Sequence, residues 1–298
     1  MSSTQRERAL PGNNGTQKND GKSTPETIPD LSEPEHETVY AHTALSAVVV
    51  HEAVREEGVR ELNRSTLALA WSGLAAGLSM GFSLIAKALF DAYLPDAPWR
   101  SLLDNFGYSV GFLIVVLGRQ QLFTENTLTV ILPLLSHRTM HTFLCVVRLW
   151  AVVLATNLLG TLLFATLVAH VAIFSPEIQL SFLHVSQQSV SGAFGPTLVK
   201  GIFAGWLIAL MVWLLPAAES TRLQVIIILT YLVGLGQFAH IIAGSVDAFY
   251  LVNLGKLTWL ACIGSFIIPT LIGNIIGGVT LVAVLNYAQV ASETVEDE

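Results

Sequence analysis

His240 is the one histidine near the centre of a long apolar run, within Ala239-His240-Ile241-Ile242-Ala243-Gly244-Ser245. Imidazole changes charge in the range around neutral pH. Placed there, it can hand a proton to the anion of a weak acid. The neutral acid then crosses an apolar constriction that is closed to its anion. From position alone, a satisfied core histidine is the more common explanation. What changes the balance is a second interrupted run, Gln121-Leu122-Phe123-Thr124-Glu125-Asn126. Thr124 and Ser245 are each placed to cap the half-helix that follows. Two half-helix dipoles would then point positive ends at the midplane, a setting for a small anion. Leu122 and Phe123 supply the constriction, although plain core packing accounts for them too. Glu125 and Asp247 would weaken such a field, so both are expected to face protein partners, with Arg119 or Arg148 as candidates. Lys87 and Lys200 lie near span ends, where lysine either snorkels or draws anions into a vestibule.

The elements that must position these groups are apolar helices. Uncharged runs give spans at Ser65–Ala86, Leu149–Phe174 (starting near Thr142), Gly201–Ala218 and Leu257–Ala288. Asn105–Gly118 is too short to cross alone, since a crossing needs about 20 residues. With Thr127–Ser136 it makes one crossing broken in the middle. Leu223–Tyr250, punctured by Gly234, Gly236, Gly244 and Asp247, makes a second. The count is six. An internal repeat runs through them: Gly73-Leu-Ala-Ala-Gly77 matches Gly201-Ile-Phe-Ala-Gly205, and Asn157-Leu-Leu-Gly160 matches Asn274-Ile-Ile-Gly277. The broken spans correspond by position. Three spans repeated as three force the second half to enter the membrane inverted, and such halves place a solute path at their interface. Asn157 and Asn274 join the candidate pathway residues on that account.

Composition agrees. Of 298 residues, 52% are hydrophobic and 12% charged, about half the charge of an ordinary soluble domain. The formal charge of −7 sits in the tails. Residues 1–42 read as a disordered polar tail, 43–64 as a surface helix, 65–290 as the six-span domain and 291–298 as an acidic tail. No basic patch exists for nucleic acid. Cys145 and Cys262 lie far apart in apolar stretches, so neither a disulfide framework nor a metal site is expected. No cofactor is expected either. Arg55, Arg60, Arg64, Arg138, Arg148 and Arg222 fall on one side, against Arg100 and Lys256 on the other. That asymmetry puts both termini in the cytoplasm.

At Gln121–Asn126 and at Ile268-Pro269-Thr270-Leu271-Ile272-Gly273-Asn274-Ile275-Ile276-Gly277-Gly278 the sequence resembles the formate/nitrite transporter family. The likeness extends from about Thr43 to Gln289 and is nearest to a less characterised group of bacterial inner-membrane proteins. The resemblance implies an aquaporin-like six-span fold, a homopentamer with one pore per protomer, and passage of formate, nitrite, hydrosulfide or similar monovalent weak-acid anions. By position, His240 is similar to the family's central histidine, Thr124 to the threonine hydrogen-bonded near it, and Leu122 and Phe123 to its cytoplasmic-side constriction. The chain departs from the family at Ala239 and Gly244, where Glu and Asn are usual, and at Gly205, where Asn is usual. Gln121 replaces an acid, and Glu125 stands where Gly or Ser is common. A lysine found in some members falls about eleven residues before Lys200, among Ser and Gln.

The expected function is a channel or transporter for small monovalent weak-acid anions, with protonation at the central histidine. Its partners would be the anion, a proton, membrane lipid and further copies of the chain. A neutral-solute pore of the same architecture and a closed membrane scaffold remain alternatives. The paired Asn-Pro-Ala motifs of water pores are missing. No nucleophile–base pair or phosphate loop suggests an enzyme.

Overall fold

The computed structural model describes residues 43–289, together with Ser32 and Glu35. The expected polar tail before residue 43 (those two residues apart) and the acidic tail at 291–298 lie outside the described residues. Residues up to Ala44 form one unit and Leu45 onward another. The second unit is all helix: α1 Ala47–Leu62, α2 Thr66–Tyr93, α3 Arg100–Leu117, α4 Asn126–Ser136, α5 Met140–His170, α6 Pro176–Val190, α7 Phe194–Ala217, α8 Arg222–Leu235, α9 Ala243–Asn253 and α10 Trp259–Gln289. α10 winds with wider π-type turns over Cys262–Ile267 and Ile276–Val284.

Five of the described helices, α2, α3, α5, α7 and α10, are long and apolar enough to cross a membrane. The remaining crossing is assembled from α8 and α9, with 14 and 11 residues. α3 differs from the sequence reading in where it starts, at Arg100 rather than Asn105, which gives it 18 residues; the break that follows separates it from α4 as expected. Asp104 does not end the helix because its carboxyl faces a cavity rather than lipid.

The repeat is built from close approaches between α2 and α5 and between α7 and α10. A Cβ on Gly77 would run into the backbone of Asn157, and one on Gly205 into that of Asn274. On the facing helices, a Cβ on Gly160 would meet Leu74 and Leu78, and one on Gly277 would meet Ile202 and Trp206. Only glycine permits such contact, which is the small-residue packing that holds helices together in lipid.

α1 packs across the ends of α4, α7 and α10. Gly58 lies against Thr129 and Pro133, and His51 sits between Trp213 and Tyr287. It is therefore half buried, more than the surface helix anticipated. Its outer face carries a Glu56–Arg60 pair, exposed and 4.0 Å apart, a geometry worth little stability. At the opposite end, α6 covers α2 and α9 through His184–Asp91 at 3.2 Å and Ser186–Asp247 at 3.3 Å.

Candidate functional site

The two breaks are made the same way. α3 ends at Gly118 and α8 at Gly236. The next residues, Arg119 (φ 52°) and Gln237 (φ 49°), adopt the left-handed conformation. Gln120 N–H then donates back to Val115 O at 2.9 Å and Phe238 N–H to Val233 O at 3.0 Å. This is the Schellman arrangement that closes a helix by satisfying its last carbonyls.

Each freed segment is then gripped by one buried asparagine. Asn157 Nδ2 donates to Gly73 O (2.7 Å) and Gln121 O (2.9 Å), while its Oδ1 accepts from Phe123 N–H (2.9 Å). Asn274 Nδ2 donates to Gly201 O and Ala239 O, both at 2.8 Å, and its Oδ1 accepts from Ile241 N–H at 2.8 Å. Backbone freed inside hydrocarbon must find partners in the protein. These two side chains provide them, so both act as brackets and line neither cavity described below.

His240 and Thr124 meet between the breaks, with Nε2 and Oγ1 2.8 Å apart. His240 Nδ1 also accepts from the backbone N–H of Ile242 (3.3 Å) and Ala243 (3.2 Å). An Nδ1 that accepts leaves the proton of a neutral ring on Nε2, which donates to Thr124. The Phe112 ring stands edge-on to the imidazole, centroids 5.0 Å apart.

Two expected caps are corrected by this geometry. His240, not Ser245, caps α9; Ser245 lies inside that helix and its hydroxyl donates to Ile241 O. Thr124 caps nothing, because its hydroxyl is held at His240 and the N-cap position of α4 belongs to Glu125, without a side-chain bond. The positive end of α9 is thus already occupied by imidazole.

A cavity of about 360 Å³ opens on the α1 side, lined among others by Glu57, Glu61, Arg64, Arg119, Glu125 and Arg222. A smaller one, about 120 Å³, opens on the α6 side, with Lys87, Asp104, Asn105, Tyr108, Ser189 and Gln237 in its wall. Leu122, Phe123, Thr124, His240, Ile241 and Ile242 line neither and are shut off from water. Phe123 packs edge-on against Trp150 at 5.6 Å. Lys200 also lines neither cavity; Lys87 does line one, its ammonium 5.9 Å from the Tyr108 ring centroid. A sequence signal for Lys87 existed. Ser83, one turn earlier on the same helix face, donates to Tyr108 O at 2.6 Å, so the polar stripe continues to the cavity. Neither anticipated arginine meets Glu125. Arg119 pairs with Glu57 at 2.9 Å, and Arg148 donates to Leu62 O and Arg64 O.

Residues 48–288 match the formate/nitrite transporter family. The chain belongs to that family. It is 43% identical over 247 residues to the inner membrane protein YfdC of Escherichia coli strain K12, covering 83% of this chain and 80% of that one. It is 27% identical over 248 residues to the formate channel BtFdhC of Bacillus thuringiensis, covering 80% and 93%. Among solved structures, a pentameric formate channel with formate bound superposes with a TM-score of 0.62 at 20% identity, covering 79% of this chain and 98% of that one. An FNT family ion channel reaches 0.68 at 18% identity, covering 80% and 98%. The likeness fixes the fold: an all-helical, aquaporin-like, multi-pass membrane protein of two inverted halves with broken second and fifth crossings.

Proposed function

We propose that this member of the formate/nitrite transporter family passes small monovalent weak-acid anions, of the formate, nitrite or hydrosulfide kind, between its two cavities. One observation carries the reading: the dry neck between the cavities joins its two breaks through a single polar pair, Thr124–His240. A bare anion in such surroundings meets a penalty of several kcal/mol. As the neutral acid it meets far less, and the hydroxyl proton of Thr124 is free to donate to it because the oxygen already accepts from Nε2. His240 then serves as the fixed donor that orients Thr124. Were the ring to take up a second proton, it would go to Nδ1 and displace the two N–H groups of α9. Protonation of the passing anion therefore belongs beside this pair, and the histidine holds the station at which the neutral acid crosses. Leu122 and Phe123 close the neck on the α1 side.

We further infer a homopentamer in a bacterial inner membrane, with the α1 side and both termini in the cytoplasm. Arginines on that side, Arg64 and Arg222 in the cavity wall among them, support the orientation. The name of the relative YfdC supports the membrane, and the pentameric formate channel of the same fold supports the assembly.

Flux of formate, nitrite, hydrosulfide and glycerol into proteoliposomes tests the reading, for wild type and His240→Asn across roughly pH 5–8, where histidine changes charge. Wild type should pass the weak acids and exclude glycerol. His240→Asn cannot cap α9 and orient Thr124 together, so it should lose most of that flux. Glycerol passage with no anion flux would replace the reading with a neutral-solute pore. Silence towards every solute would favour a closed scaffold.

A further inference from the structure

Glu125 follows Thr124 directly and is not absorbed by the pathway described above. Its carboxyl stands in the wall of the α1-side cavity, yet Oε1 is closed off from water and has no hydrogen-bond partner. The groups around it are engaged elsewhere. Arg119 pairs with Glu57 at 2.9 Å, and Arg64 with Glu61 at 3.0 Å. Gln121 Nε2 donates to Glu61 at 2.7 Å, and Asn126 Nδ2 to Gln121 Oε1 at 3.0 Å. Arg222 lines the same cavity. The Ile276–Val284 stretch of α10 packed on this segment brings no titratable group. α7 brings only Lys200, about 18 Å along that helix from Val212 in the cavity wall. An ionisable side chain at membrane depth is retained for a function by default. Here it lies at the last point where water and the dry neck are both within reach.

We propose that Glu125 is the proton-carrying carboxyl that neutralises the anion before it enters the neck, an inference resting on the function proposed above. A monovalent weak-acid anion arriving in the α1-side cavity meets the Glu125 carboxyl. The carboxyl O–H bond breaks and its electron pair stays on Glu125. The proton bonds to the anion, and the neutral acid moves one residue onward to the hydroxyl of Thr124. The carboxylate left behind shares its cavity with Arg119 and Arg222 and takes a proton back from cavity water, so each passage carries one proton with one anion. In the reverse direction Glu125 accepts the proton.

Formate uptake and the accompanying proton movement, read with a pH-sensitive dye inside proteoliposomes, test this for wild type, Glu125→Gln and Glu56→Gln. Glu125→Gln keeps the shape of the side chain and cannot give up a proton. It should slow uptake at least about tenfold and flatten its pH profile, while Glu56→Gln, on the exposed face of α1 and outside the cavity wall, keeps the profile of wild type. A Glu125→Gln protein that matches wild type in rate and pH profile overturns the proposal while formate passage stands. A wild-type protein inert to formate, nitrite and hydrosulfide overturns the function itself. If Glu125→Gln fails to fold, Glu125→Asp, which keeps the acid but shortens its reach, should be slower yet still pH-dependent. Wild-type kinetics in that variant would overturn the proposal too. Infrared difference spectra across the same pH range give an independent readout: a protonated-carboxyl band present in wild type, shifted in Glu125→Asp and absent in Glu125→Gln. No such band in wild type would sink the idea.

Discussion

Replacing Asn157 with leucine should damage the protein as much as replacing Asn274, although the two lie in different halves. Leucine keeps the branching at Cγ, is larger, and offers no hydrogen bond. In Asn157→Leu the N–H of Phe123 and the carbonyl of Gln121 lose the side chain that satisfies them. In Asn274→Leu the same happens to Ile241 N–H and Ala239 O. A buried group left unsatisfied costs about 1–3 kcal/mol, so each substitution should cost about 2–6 kcal/mol. The bond to the helical carbonyl of Gly73 or Gly201 adds little, since that oxygen already serves its own helix. Against a typical total of about 5–15 kcal/mol, the loss is large. At about 2–4 °C per kcal/mol for chains of this size, the thermal midpoint should fall by about 4–24 °C. Fluorescence-detected size exclusion after heating in detergent measures it. Asn253→Leu, whose side chain bonds Phe249 O and His170 near the end of α9, serves as the control and should move the midpoint far less. Either asparagine variant melting with wild type would refute the bracket argument. One falling while the other stands would refute the equivalence of the halves.

Phe123→Ala should widen the neck and raise leak of small ions in liposomes, with a stability cost of about 3–5 kcal/mol for a buried phenylalanine; unchanged conductance in a folded protein would return Phe123 to core packing against Trp150. His51 gives a pH prediction for α1. Burial between Trp213 and Tyr287 holds its imidazole below the ordinary value of 6.5, with Arg55 adding to the shift and Glu52 opposing it. The docked helix thus binds fewer protons than the released one. Docking is fully stable above about pH 6.5 and weakens as pH falls below it. Protection factors from amide exchange, with each rate divided by its intrinsic value at that pH, should fall across Ala47–Leu62 between pH 7.5 and pH 5 and lose that dependence in His51→Phe; equal protection factors at both pH values in wild type would contradict it.

The crossings, the breaks and the repeat were legible because each rests on a local signal: apolar length, interruption, and Gly and Asn at matching places. Gly77 and Gly205 could be paired by eye, and the structure shows why both are glycine. The caps were misread for a reason equally physical. A serine or threonine at a break suggests a local cap, but a histidine from within the break can reach the same N–H groups, and Ser245 then turns back to Ile241 O. The partners of Glu125 were misjudged because Arg119 answers to Glu57, on a helix 62 positions earlier. Such a pairing depends on how α1 folds across the cavity mouth, which no spacing within the break encodes. Lys87 and Lys200 could not be told apart in the sequence, because end-of-span position does not tell which face of a helix meets a cavity.

The hydrogen bonds at His240 bear on where a proton-coupled pathway keeps its protons. A ring that caps α9 through Nδ1 and orients Thr124 through Nε2 has both nitrogens committed. To deliver a proton it would have to become an imidazolate, or begin as an imidazolium with the cap broken, and a dry neck disfavours both charged forms. Carboxyls have no such difficulty in the cavity walls, where water can resupply them. Glu125 stands on the α1 side and Asp104 on the other, each with one carboxyl oxygen buried and unpartnered. On the function proposed, a neutral, rigid station flanked by titratable walls would let the anion gain its proton where water is available and lose its charge before the membrane can oppose it. The histidine is then central by what it holds in place.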